Sequence, residues 1–307
     1  MSSTKIHFVG YHPKTSVQSR AMAVLADRLN RDVGDGVAFH FDSDIGDLGH
    51  KANDLLRMVE AGDFDGCYFY SSYLTQRVPE LGLFELPFEI ASRERFYALL
   101  DGVLGRRVAD SVAANTGYRV LGYWDNGIRH LSNRLHPIHT PADCRGLKIR
   151  TAFNEFHQAA FRAMGFEPMA IDVKDLPAAV ADGTVDAQEN PLTNMINYKV
   201  QAYHPHITLT SHLFGVSAVL VNAAKYASWP EAIRQGFAAA LEPATAAQRS
   251  FAADDDVSCM KTLKDEGAEI VSLSDAERVQ FVAAVADVVA AEKERFDPEL
   301  LALFDAH

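Results

Sequence analysis

Apolar positions along the first seventy residues switch repeatedly between two periods. Ile6, Phe8 and Val9 predict a strand, and Val17, Ala21, Val24, Leu25 and Leu29 recur at helical spacing behind Thr15 or Ser16 as a cap. Val37, Phe39 and Phe41 alternate as a strand does, Leu55, Leu56, Met58 and Val59 mark a second helix closed by Gly62, and Cys67–Tyr70 reads as a third strand. Strands alternating with helices in this way predict a mostly parallel sheet covered on both faces.

A helix over about 92–115 and a strand near Tyr118–Trp124 extend this series, which stops at the turn-rich His136-Pro137-Ile138-His139-Thr140-Pro141. A second alternating series follows. Strand Leu147–Thr151 leads to helix Glu155–Met164, a short strand Met169–Ile171, helix Val173–Ala181 ending at Gly183, and strand Val185–Gln188 running into Pro191, where another helix starts. Strands are expected near His206–Thr210 and Val216–Val221. Trp229-Pro230-Glu231 then opens a helix that meets few breakers before Gly267, so it can run about 35 residues, or about 50 Å. Ser274-Asp275-Ala276-Glu277 is a capping box, and Asp297-Pro298 starts a last short helix.

Length and charge narrow the class. At roughly 150 residues per domain, 307 residues suggest two domains. A formal charge of −12 argues against nucleic acid and against an anionic membrane surface. No apolar run approaches the roughly 20 residues needed to span a bilayer, so direct membrane insertion is not expected. The first residues lack the pattern of a secretory leader, which fits either a cytoplasmic chain or one whose leader has been removed. Cys67, Cys144 and Cys259 stand far apart; one long-range bridge can form, but three scattered buried thiols are the expected arrangement.

Ligands of open α/β sheets bind beyond the carboxyl ends of strands. Arg150 stands at the end of such a strand, and Arg129 lies just after Trp124 where another strand begins. A guanidinium matches a carboxylate with two parallel charge-assisted bonds, although either arginine can serve a structural salt bridge instead. Pro191 pushes Asn190 toward an extended conformation at a strand-to-helix junction, where it can orient a polar ligand or simply cap the helix. His204/His206 and His136/His139 lack partners of metal-site spacing, so neither a metal nor a cofactor is expected. Hydrolase, zincin, dinucleotide and P-loop motifs are missing, which weakens an enzyme reading. Aromatic clusters around Tyr68–Tyr73, Phe84–Phe88 and Phe153–Phe156 can line a pocket or fill a core.

Two longer stretches carry a family resemblance. Thr140-Pro141-Ala142-Asp143-Cys144-Arg145-Gly146-Leu147-Lys148-Ile149-Arg150 resembles the "TPxDLKGLKIR" signature of the DctP-type substrate-binding proteins of TRAP (tripartite ATP-independent periplasmic) transporters, with Cys144 for leucine and Arg145 for lysine. Gly183-Thr184-Val185-Asp186-Ala187-Gln188-Glu189-Asn190-Pro191 is close to "GxVDGQENP", with Ala187 for glycine, and Leu86-Pro87-Phe88 matches "LPF". The resemblance runs in order through essentially the whole chain.

It implies a two-lobed periplasmic-binding-protein-like α/β fold with a hinge, crossover strands and a long helix spanning both lobes. Lobe I would take residues 1–126 plus 215–255, and lobe II 127–214 plus 256–307. It further implies a non-enzymatic periplasmic protein, a monomer, that captures a small organic acid and delivers it to TRAP membrane permease subunits. Arg150 would form the principal salt bridge with the ligand carboxylate, Arg129 a second contact, and Asn190 would orient the ligand. Tyr11, His12, Ser71, Ser72 and Tyr73 would supply loop contacts that vary with ligand, with Phe88, His212 and Phe214 as further candidates. Two alternatives stay open. One is a cytoplasmic enzyme or ligand sensor on a similar fold. The other is a binder of a neutral or cationic amine, which would need an acidic group near Tyr11–His12 or Glu89.

Overall fold

The alternating pattern becomes nine strands and eleven α-helices in the computed structural model, which describes residues 3–306. The strands are β1 (Thr4–Val9), β2 (Val37–Asp42), β3 (Gly66–Tyr70), β4 (Tyr118–Asn133), β5 (Lys148–Thr151), β6 (Glu167–Ala170), β7 (Ala187–Pro191), β8 (His206–Asn222) and β9 (Glu269–Ser272). The helices are α1 (Val17–Asp32), α2 (Ala52–Ala61), α3 (Arg93–Asp101), α4 (Val103–Asn115), α5 (Glu155–Ala163), α6 (Leu176–Ala181), α7 (Leu192–Asn197), α8 (Ala223–Ser228), α9 (Glu231–Asp265), α10 (Asp275–Lys293) and α11 (Pro298–Asp305).

The chain divides into two compact units. The first holds the chain up to Ser71, Val108–Asp125 and Val216–Asp254; the second holds Ser72–Arg107, Asn126–Gly215 and the chain from Asp255 onward. Strands β4 and β8 and helix α9 each run unbroken from one set of residues into the other.

In the first unit β1 pairs in parallel with β2 and β3, and β3 pairs antiparallel with Ser217–Val221 of β8. Ser16 caps α1, its hydroxyl accepting the Ser19 N–H at 3.1 Å. Phe8 stacks on Phe237 of α9 with ring centroids 5.4 Å apart, and Trp229 closes on the same ring at 5.5 Å. Trp124 is buried whole because its indole N–H finds Thr245 Oγ1 at 3.0 Å. Buried Gln248 satisfies both backbone groups of Asp125, accepting its N–H at 2.8 Å and donating to its carbonyl at 2.6 Å.

In the second unit β7 pairs antiparallel with β4 and in parallel with β5, β5 is parallel to β6, and the first residues of β8 are parallel to β9. Its core gathers Leu176, Val180, Val185, Leu192, Met195, Val200, Ile207, Cys259 and Leu263. Residues 72–107, expected in lobe I, pack with this second unit. Arg93 pairs with Asp256 at 2.6 Å, Arg95 donates to the Phe304 carbonyl at 3.1 Å, and its guanidinium lies over the Phe304 ring.

Other departures from the sequence reading have local causes. The helix expected over 92–115 breaks at Gly102, whose extended backbone ends α3. The two strands expected over 206–221 are one 17-residue strand. Residues 212–222 are buried throughout, so that stretch shows no alternation to mark its continuity. Asn190 does not cap the following helix; it lies in β7 opposite His130, and Pro191 is the N-cap of the six-residue α7. All three cysteines are free and buried.

Candidate functional site

Strand β5 delivers Arg150 to its carboxyl end, paired in register with Gln188 of β7. Its neighbours along the strand, Ile149 and Thr151, are fully buried, and Arg150 is itself only 2% exposed. The Nε–H donates to the Ile171 carbonyl at 2.9 Å. Nη2 is buried without a hydrogen-bond partner, and among the described residues Arg150 makes no ion pair. Tyr73 stands beside it: burial pushes the phenol up from its ordinary value, and the Arg150 charge and hydrogen bond partly offset that. The Asp172 carboxylate, one residue past Ile171, also acts on Tyr73 and raises it. A buried guanidinium with an unsatisfied N–H and no ion pair of its own is an unfavourable arrangement that a ligand carboxylate would relieve.

Arg129 is arranged in the opposite way. It too is 2% exposed, but its fork is closed on Glu189. Nε meets Glu189 Oε2, and Nη2 meets Oε1 at 2.6 Å and the Glu189 carbonyl at 3.0 Å. The register explains why they meet: Leu131 is the partner of Glu189 across β4 and β7, and Arg129 lies two residues before it. Nη2 also reaches Asn190 Oδ1 at 3.3 Å, while Asn190 Nδ2 donates to Gln188 Oε1 at 2.6 Å.

His212 completes this cluster, with Nε2 3.3 Å from Glu189 Oε2 and Nδ1 2.7 Å from Thr210 Oγ1. Burial alone would push the Glu189 carboxyl up, yet Arg129 and His212 together hold it well below the usual carboxylate range. Burial lowers His212, an effect Glu189 only partly offsets, so the imidazole is neutral near pH 7. Its Nε2–H then donates to Glu189 and its Nδ1 accepts from Thr210. His130 is lowered to about 3 by burial first, then by His212 and Arg93; its Nδ1 accepts the Ser211 N–H at 3.1 Å. Against Glu189 and His212 lies a cavity of about 10 Å³, enough for roughly one water and far too small for an organic acid.

Two buried arginines, one neutralised internally and one not, thus stand on neighbouring parts of one sheet. The family model for bacterial extracellular solute-binding proteins, family 7 (DctP), matches residues 8–295. The chain belongs to that family. It is 30% identical over 238 residues to a solute-binding protein of Verminephrobacter eiseniae, covering 78% of this chain and 70% of that one. It is 28% identical over 239 residues to the 2,3-diketo-L-gulonate-binding periplasmic protein YiaO of Escherichia coli, covering 78% and 72%. Among solved structures, a TRAP periplasmic solute-binding protein from Polaromonas bound to D-erythronate superposes with a TM-score of 0.92 at 26% identity over 99% of each chain.

The fold is therefore that of the two-lobed TRAP solute-binding proteins. Members of the DctP family are solute-binding proteins and not enzymes, and no helix among the described residues is long and apolar enough to cross a membrane.

The remaining candidates of this DctP-family protein divide between the two units. In the second unit Ser72 is buried and its hydroxyl accepts from Asn154 Nδ2 at 2.8 Å, while Asn154 Oδ1 caps α5 by accepting the His157 N–H. Phe88 holds a positive φ of 65°, donates its N–H to the His212 carbonyl at 2.8 Å, and carries Arg278 over its ring. Phe214 packs on Phe96 with centroids 5.3 Å apart, the contact of a core residue. In the first unit Tyr11 and His12 are buried against each other at 4.2 Å, with Phe69 4.6 Å from Tyr11, and Ser71 is fully buried.

Arg129, Asn190 and His212 are brought together, but around Glu189, and Tyr73 is brought to Arg150. Glu189 itself escaped the sequence reading. The one available signal was its place between Gln188 and Asn190, and the strand register that aims Arg129 at it is not visible in sequence.

Proposed function

We propose that the chain binds a small organic acid, with Arg150 as the partner of its carboxylate, in the periplasm and as a monomer that hands the acid unchanged to TRAP permease subunits. The observation that carries this reading is the Arg150 guanidinium: buried, hydrogen-bonded to the Ile171 carbonyl and to Tyr73, with Nη2 unsatisfied and no carboxylate of the protein ion-paired to it. Tyr73 is a second polar contact for the same acid. Arg129 supports the site from behind. Its fork is taken by Glu189, so its part is to hold Asn190 and the β4–β7 ladder in place. Asn190 keeps one amide N–H to offer a ligand after its bond to Gln188.

The relatives' ligands sharpen the class. One is named for 2,3-diketo-L-gulonate and another holds D-erythronate. Both are carboxylates bearing several oxygens, so a polyhydroxylated or oxo acid is the first class to test here. The experiment is a thermal-shift screen across sugar acids, short hydroxy acids, dicarboxylates, amino acids and amines, followed by titration calorimetry. Stabilisation by one or more acids, with the acid recovered unchanged by NMR, is the expected result. Stabilisation by amines alone, or conversion of the acid, would overturn it.

A further inference from the structure

We propose that His7, His40 and Asp42 form a binding site for one transition-metal dication of the zinc class on the first unit's sheet. Strands β1 and β2 are parallel, and His7 and His40 are direct register partners, so their side chains share one face. Asp42 lies two residues beyond His40 and therefore points to that same face. His7 Nε2 and His40 Nε2 converge on a single oxygen, Asp42 Oδ2, at 2.8 and 3.2 Å. One ligand atom from each of the three residues lies within 4.8 Å of the others.

Tetrahedral zinc with bonds of about 2.0 Å sets its ligand atoms about 3.3 Å apart. The His40–Asp42 separation is already near that value, and the His7–Asp42 separation is about 0.5 Å shorter, so an ion would push that pair apart slightly. The two imidazoles, tilted by 53° with centroids 4.7 Å apart, need only side-chain rotation to admit an ion between them. The His7 ring is fixed from behind by the edge-on contact with Phe64 at 5.0 Å, and its backbone N–H is held by Asp65 Oδ2 at 2.8 Å. Rigid strands thus present the donors.

Donor type selects the ion. Two imidazoles and one carboxylate suit zinc, nickel or copper, whereas calcium and magnesium want oxygen donors. The side chains are 34%, 65% and 32% exposed for His7, His40 and Asp42, so a hydrated ion can reach them and water can complete the coordination. This departs from the expectation of no metal. The signal was hidden because the two histidines lie on different strands, with no spacing motif to join them. The proposal does not depend on the organic-acid reading.

The test uses the full chain after treatment with EDTA. Titration with zinc chloride, with bound metal counted by elemental analysis after dialysis, is expected to give one zinc per chain. His40→Ala, at an exposed position, and Asp42→Asn are each expected to weaken that binding by at least about tenfold, while circular dichroism stays unchanged. Cobalt(II) bound to the wild type is expected to show the visible bands of a low-coordinate nitrogen-ligated ion, absent from His40→Ala. No zinc bound by the wild type, or equal affinity and stoichiometry in both variants, would overturn the proposal.

Discussion

Replacing Glu189 with Gln tests how the second unit tolerates two buried arginines. The wild-type carboxylate takes both arms of the Arg129 fork and the Nε2–H of His212. Glutamine keeps the shape but offers one carbonyl oxygen and an NH₂ that faces a donor. Arg129 would then be a buried cation, 2% exposed, without its counter-charge. Breaking a buried pair from one side costs about 3–5 kcal/mol. For a unit of this size about 2–4 °C is lost per kcal/mol, so the melting temperature should fall by about 6–20 °C.

The pH dependence supplies a second reading of the same variant. The Glu189 carboxyl is held below its unfolded value of about 4.3, so its stabilising contribution is present above that pH and lost as the pH falls. The gap between wild type and Glu189→Gln should accordingly be widest above about pH 4.3 and narrow below it. Urea unfolding followed by circular dichroism measures both. A variant within experimental error of the wild type at pH 7, or a gap independent of pH, would refute the reasoning.

Further outcomes follow from other residues. His130 and His204 are lowered by burial to about 3 and about 4, and His212 is also lowered. The stability each contributes is present above about 6.5 and lost as the pH falls, by about 1.4 kcal/mol per pH unit per histidine. His130→Gln should flatten the loss between pH 6.5 and 4.5 by about one proton's worth, measured by urea midpoints across that range. Gly127 has a φ of +93°, and a Cβ there would lie 2.5 Å from the Pro191 Cβ, so Gly127→Ala should destabilise by at least about 2 kcal/mol. Thermal unfolding checks this, and an unchanged midpoint would contradict it.

What could be read from sequence follows the range of the interactions. The βαβαβ start and the 35-residue helix were legible because periodicity and capping are local signals, as Ser16 and the Ser274–Glu277 box show. Arg150 was legible as a strand-end cation for the same reason. The opposite fates of Arg129 and Arg150 were not. They turn on Glu189, 60 residues from Arg129, and on an antiparallel register set by tertiary packing. Residues 72–107 were misassigned because Arg93 and Arg95 meet their partners, Asp256 and Phe304, more than 160 residues away.

The central claim is that Arg150 waits for a carboxylate that the protein does not itself provide. Arg150→Met removes a buried charge that is ion-paired to no carboxylate of the protein, at the cost of its hydrogen bonds to the Ile171 carbonyl and Tyr73, so the unliganded protein should stay folded with a midpoint near that of the wild type. Titration calorimetry with whichever acid binds the wild type, D-erythronate being the first to try, should show affinity lower by at least about 30-fold, since losing one side of a buried charge pair costs about 2–5 kcal/mol. Intact stability with lost binding is the predicted result. Undiminished affinity in Arg150→Met would contradict the account.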